Sequence, residues 1–327
     1  MPDTDAALYV KGIIAGDRRM LSKAITLIES ELSAHQALAQ KIMDAVINRT
    51  GQAVRIGVTG TPGVGKSTFI ESFGRLLIEK GHRPAILAVD PSSGKSGGSI
   101  MGDRTRMQRL SANPRAFIRP SPSAGNPGGV ARKTRETMLL CEAAGFDVII
   151  VETVGVGQSE TMVASMVDFF LLLILPGAGD EIQGIKRGII ELADAIAVNK
   201  ADGENINAAE KTRRDYENAL HITAPASASW HPKVLVCSAL LGRGIESIWD
   251  TVLSHRDILM KTGEFSEKRR KQSKEWFRFL VDEGLKNWFY RKDSVKKRMA
   301  ELTRRVESGE MSPVAASGRL LEILESF

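Results

Sequence analysis

Gly60-Thr61-Pro62-Gly63-Val64-Gly65-Lys66-Ser67-Thr68 is the first run in this chain whose residue types and spacing could do chemistry. It fits G-x-x-x-x-G-K-[ST], in which glycines let backbone N–H groups turn inward around phosphate oxygens. A helix starting there adds the positive end of its dipole. Lys66 is predicted to reach the β- and γ-phosphates of a nucleotide, and the Ser67 hydroxyl to ligate Mg²⁺. The bland alternative is a glycine-rich turn. The apolar run before the loop and the helical pattern after it favour the phosphate site.

A second constellation ends the apolar run Ala195–Val198: Asn199-Lys200-Ala201-Asp202. A carboxylate at Asp202 can accept two hydrogen bonds, from guanine N1–H and N2–H₂, a pair that adenine cannot supply. A site built for those bonds rejects the analogue lacking them, because its polar groups would be left unpaired. Lys200 could lie over the base with its stem, and Asn199 could brace the loop. Ser238-Ala239-Leu240 follows another apolar run, Val234–Cys237. It resembles the last guanine-contact segment of GTPases, in which the alanine N–H meets O6. Either segment alone is a weak match with a polar turn as its alternative; together and in this order they predict GTP and GDP as ligands.

A third apolar run, Val148–Val151, leads into Glu152-Thr153-Val154-Gly155-Val156-Gly157-Gln158. A strand there would place Glu152 near Mg²⁺ or its waters, and Gly155 could offer its N–H to the γ-phosphate. Gln158 is a candidate for orienting the attacking water, although it stands three residues beyond Gly155. Asp90 and Asp103 are further candidate metal partners, direct or through water. Asp103 reads equally well as the cap of a turn or helix.

The elements that must position these residues follow from hydrophobic spacing. Arg55–Thr59, Ala85–Val89, Phe117–Arg119, Val148–Val151, Phe169–Leu175, Ala195–Val198 and Val234–Cys237 read as short strands, several apolar on consecutive residues and so buried on both faces. Helical segments alternate with them. This predicts an α/β P-loop NTPase fold with a mostly parallel central sheet, binding ligands beyond the carboxyl ends of its strands. Residues 1–50 read as a helical segment, with Asp17 as a cap, and 51–260 as the GTP-binding domain. Residues 261–327 read as a helical arm, with Ser312-Pro313 opening its last helix.

Composition narrows the class. The chain has 327 residues, 43% apolar and 26% charged, which excludes a disordered or collagen-like protein. The longest apolar run, Phe169–Leu175, is far below the ~20 residues of a membrane span. The opening MPDTDAALYV lacks a basic flank and a long apolar core, so no secretory signal is predicted. Cys141 and Cys237 are far apart and suggest no disulfide framework, which points to a reducing, cytoplasmic compartment. The net charge is +6, but Lys261–Arg305 alone carries fifteen basic and seven acidic residues. The excess therefore lies in the arm, where Lys268–Lys271 and Lys296–Arg298 interleave with apolar positions at helical spacing. A solvated helix face explains those runs better than a nucleic-acid surface.

The runs 60–68, 89–107, 117–125, 133–160 and 176–202, with Ser238-Ala239-Leu240, resemble the MeaB/ArgK/MMAA GTPases. The resemblance implies a homodimeric G-protein chaperone of an adenosylcobalamin-dependent acyl-CoA mutase, typically methylmalonyl-CoA mutase, dimerising through the C-terminal arm. It implies that Asp90, Asp103 and Glu152 are metal and switch carboxylates. It also implies a second switch loop over 179–186, with Asp180, Gln183 and Lys186 facing the mutase. Without the family, that loop is an ordinary charged entry to a surface helix. A nickel-enzyme maturation GTPase would need a His or Cys cluster, and His35, His82, His221, His231 and His255 are scattered. A kinase would need a phospho-acceptor site, and no stretch of the sequence resembles one. No arginine is placed to complete the phosphate site, so slow intrinsic turnover, accelerated by a partner, is expected.

Overall fold

Seven runs rich in Val, Ile, Leu and Phe pair into a single sheet. They are β1 Val54–Gly60, β2 Pro84–Val89, β3 Phe117–Arg119, β4 Val148–Thr153, β5 Phe169–Ile174, β6 Ala195–Val198 and β7 Lys233–Val236. Every pairing is parallel, in the order β3-β2-β4-β1-β5-β6-β7. The predicted α/β class and all seven predicted strands are borne out, with ends moved by a residue or two. The computed structural model describes residues 2–89, 107–120, 127–153, 159–177, 187–222 and 227–326.

Helices cover both faces, as a parallel sheet requires. The intervening helices are α4 Lys66–Glu79, α5 Gln108–Ala112, α6 Pro127–Ala143, α7 Ser159–Ala164, α8 Arg187–Leu192, α9 Ile206–Ile222 and α10 Ile245–Thr262. Phe69, Ile70, Phe73 and Leu77 of α4 and Ile248, Trp249 and Val252 of α10 share one core with Val54, Ile56 and Val58 of β1. Three further helices, α1 Pro2–Ile14, α2 Arg18–Glu29 and α3 Ser33–Val46, pack on one another and on α6, which lies on β2 and β4. Asp17 caps α2 as expected, its carboxylate accepting from the N–H groups of Arg19 and Met20 at 2.8 and 3.3 Å.

The chain divides into two compact units after Arg269. The first holds the sheet together with the N-terminal helices. The second holds most of α11 Glu264–Arg291, with α12 Asp293–Glu307 and α13 Pro313–Leu321. Its own small core joins Phe289, Val295, Leu302, Met311, Ala316 and Leu320. The Ser312 hydroxyl accepts from Ala315 N–H at 3.2 Å, with Pro313 in the first turn, as the sequence predicts for α13.

Candidate functional site

Three strands deliver predicted site residues to the carboxyl end of the sheet. β1 ends at Gly60, β4 carries Glu152 next to its last residue, and β6 stops one residue before Asn199. Because the strands are parallel, these carboxyl ends lie together, which is where open α/β sheets bind ligands. The loop 61–65 then turns directly into α4. Gly65 has φ +94°, and a Cβ there would stand 2.9 Å from the Asn199 side-chain nitrogen, so only glycine fits. Lys66 Nζ donates to the carbonyls of Gly60 at 2.7 Å and Thr61 at 3.3 Å, which holds it back over the loop. Burial pulls its ammonium below the ordinary lysine range, and the negative charges of Glu152 and Glu160 oppose that pull. Thr61, Pro62, Gly63 and Thr68 are exposed, Ser67 is half-buried and Val64 is a core residue.

The predicted base segments meet the phosphate loop through one side chain. Asn199, fully buried, donates from Nδ2 to Val64 O at 2.9 Å. Its Oδ1 accepts from the N–H of Ala239 at 3.0 Å and from the Cys237 thiol at 3.6 Å. Burial pushes that thiol's pKa up to about 12, so it stays protonated and can donate. Asn199 thus braces the loop as the sequence suggests. The Ala239 N–H, matched by resemblance to the one that meets guanine O6, is engaged by Asn199 here. Ser238 donates its hydroxyl to the Asp202 carboxylate and accepts from Leu241 N–H at 3.2 Å. Lys200, exposed, takes φ +59°, the one left-handed conformation outside glycine among the described residues. Leu240 is 76% open to solvent.

Mg²⁺ is the metal that the sequence implies, and the donor set here fits it. Ser67 offers a hydroxyl at the start of α4, and Glu152 a carboxylate that is 6% exposed. Among the described residues no three His, Cys, Asp or Glu side chains cluster as a cage. One or two carboxylates beside substrate phosphates and water are what Mg²⁺ takes, unlike metals held by all-protein cages. Asp90, Asp103, Gly155, Gln158, Asp180, Gln183 and Lys186 lie outside the described residues.

Two findings go past the sequence reading. Glu160, at the first turn of α7 and 4% exposed, is a second buried carboxylate acting on Lys66. Its place just after a glycine-rich loop was the signal available for it. The solvated-face reading of Lys268–Lys271 needs correction at its first two members. Arg269 binds both oxygens of Asp168, at 2.8 and 2.7 Å, and the carbonyls of Ala53 at 2.7 Å and of Gly51. Lys268 donates to Asp168 O at 2.6 Å and stands 3.5 Å from Asp194. Taking a guanidinium out of water costs several kcal/mol, roughly, unless its partners are well placed, and four acceptors meet that condition.

The model of the family described as "Methylmalonyl Co-A mutase-associated GTPase MeaB" matches residues 21–294. The chain is 46% identical to the GTPase ArgK of Escherichia coli over 317 residues, 97% of this chain and 96% of that protein. It is 45% identical to the mitochondrial methylmalonic aciduria type A homolog of Mus musculus, over 96% of this chain and 78% of that protein. A crystal structure described as the LAO/AO transport system kinase superposes with a TM-score of 0.78 at 41% identity, covering 98% of both chains.

Proposed function

We propose that this chain, which belongs to the MeaB family of methylmalonyl-CoA mutase-associated GTPases, gates adenosylcobalamin loading and protects or reactivates methylmalonyl-CoA mutase or a related acyl-CoA mutase. The chain is a GTPase, and GTP and GDP are its ligands. The observation that carries the nucleotide site is the Asn199 brace, which ties the phosphate loop to both base segments.

The residues divide the work as follows. Gly60, Gly63 and Gly65 leave room for phosphate oxygens beside the loop N–H groups, and α4 presents its positive end. Lys66 gives up two carbonyls and neutralises charge on the β- and γ-phosphates as water attacks in line. Ser67 and Glu152, with Asp90 and Asp103, would hold Mg²⁺, which when bound neutralises charge on the phosphate oxygens. Gln158 orients the water. Asp202 reads the guanine edge, Lys200 and Leu240 cover the ring, and Asp180, Gln183 and Lys186 report the nucleotide state to the mutase.

The arm from residue 261 is the dimerisation surface in this reading. Phe277, Val281, Leu285 and Trp288 recur at helical spacing along α11 and are between 43% and 66% exposed, an apolar stripe of the kind a second helix covers. Nucleic acid and membranes are not partners in this reading, and the compartment is the cytoplasm. Among the described residues no helix is long and apolar enough to cross a membrane.

The test is GTP turnover by the purified chain, alone and with methylmalonyl-CoA mutase. Slow turnover alone and faster phosphate release with the mutase is the expected result. Equal rates in both samples would remove the mutase role. Label from GTP appearing on a protein rather than as inorganic phosphate would revive a kinase.

A further inference from the structure

Thr153 donates its hydroxyl to that of Thr59 at 2.7 Å, and neither residue exposes more than 1% of its surface. The pair joins the last residue of β4 to the last but one of β1. Val58 stands in register with Glu152, so the threonines form the next rung. Val54, Ile56, Val58, Val148 and Ile150 face the core built on α4 and α10. Alternation puts Glu152 on that same side, toward the helix that starts with Lys66 and Ser67. The threonines point to the other side. A Cβ added at Gly57 on that side would strike Phe170, Val163 and Val167, and α7 packs there on β1 and β4.

Two valines would fill this place at no loss, because replacing both partners of a buried hydrogen bond by apolar groups of the same shape is nearly neutral. The bond must therefore be explained by what it fixes. A strand end can rotate about its own axis, and rotation at Thr153 would swing its neighbour Glu152 away from the phosphate loop. A directional bond on the opposite face stops that rotation. Dispersion contacts between methyl groups, being non-directional, do so far less well.

We propose that Thr59 and Thr153 are positioning residues, a hydroxyl clasp that locks the end of β4 against β1 and so aims Glu152 at the phosphate loop. The clasp rests on the reading of Glu152 as a Mg²⁺ carboxylate. It sets how much Mg²⁺ strengthens GTP binding without touching nucleotide or metal.

The experiment uses the full chain as Thr153→Val, Thr153→Ser and the double variant Thr59→Val/Thr153→Val. GTP affinity is measured by calorimetry with and without MgCl₂, and stability by urea unfolding. Thr153→Val leaves the Thr59 hydroxyl unpaired, so its unfolding midpoint falls, and the gain in GTP affinity from MgCl₂ shrinks on the order of tenfold. Thr153→Ser keeps both properties. The double variant regains the midpoint but not the MgCl₂ gain, which a merely structural pair would not do. A double variant that recovers both, or Thr153→Val with the full gain, overturns the clasp. Wild-type protein whose GTP affinity ignores MgCl₂ would instead remove the metal reading of Glu152, and the clasp with it.

Discussion

Asn199 touches two segments with one amide: Val64 of the phosphate loop, and Cys237 and Ala239 of the run that follows β7. In the proposed site Lys66 and Asp202 serve the two ends of the nucleotide, and each can be removed separately. Lys66→Ala is expected to weaken GTP binding by about 1.5–3 kcal/mol or more, the worth of a charge-assisted contact, with an unchanged unfolding midpoint. Calorimetry checks the affinity. Asp202→Asn keeps one accepting oxygen but turns the other into a donor that faces a guanine N–H, so GTP affinity falls on the order of 10²- to 10⁴-fold. Xanthosine triphosphate, whose C2 oxygen can accept from the new amide, is then preferred in competition. The types of these residues were readable because phosphate and guanine demand particular donors at fixed spacing. Glu160 and the two threonines were not, because their roles depend on which strand lies beside which.

At the scale of elements, the strands were legible and their charged lower ends were not. Runs such as Phe169–Ile174, buried on both faces, announce themselves by composition. Lys268 and Arg269 looked like a solvated helix face because Asp168 and Asp194, the carboxylates that bury them, lie some 70 to 100 residues earlier in the chain. Asp194 is the centre of one such cluster. Burial pushes its carboxyl up, but Lys268, His255 and the Phe170 N–H at 2.8 Å outweigh this and hold it below the ordinary range. His255 is itself 1% exposed, wedged edge-on against Phe169 and Trp230. A carboxyl depressed in the folded state stabilises above its unfolded pKa of about 4 and loses that contribution as pH falls through the folded value. Asp194→Asn is therefore expected to lower the unfolding midpoint at neutral pH and to flatten its decline in acid. Denaturation at a series of pH values checks this.

For the whole molecule, the net charge of +6 misdirects unless its location is known. The basic excess belongs to the segment after residue 261. Part of it, Lys268 and Arg269, is consumed inside the first unit by strand-end carboxylates. What remains lies on α11 to α13, beside the exposed Phe277, Val281, Leu285 and Trp288. Lys200 carries a consequence at this same scale. Its left-handed backbone costs on the order of 1 kcal/mol for a side chain of its kind, and asparagine tolerates that conformation better. Lys200→Asn should accordingly raise the melting temperature while weakening GTP binding, two changes of opposite sign from one substitution, read by calorimetry on a single sample. Under the proposed function the lysine is a spot where robustness is traded for the nucleotide.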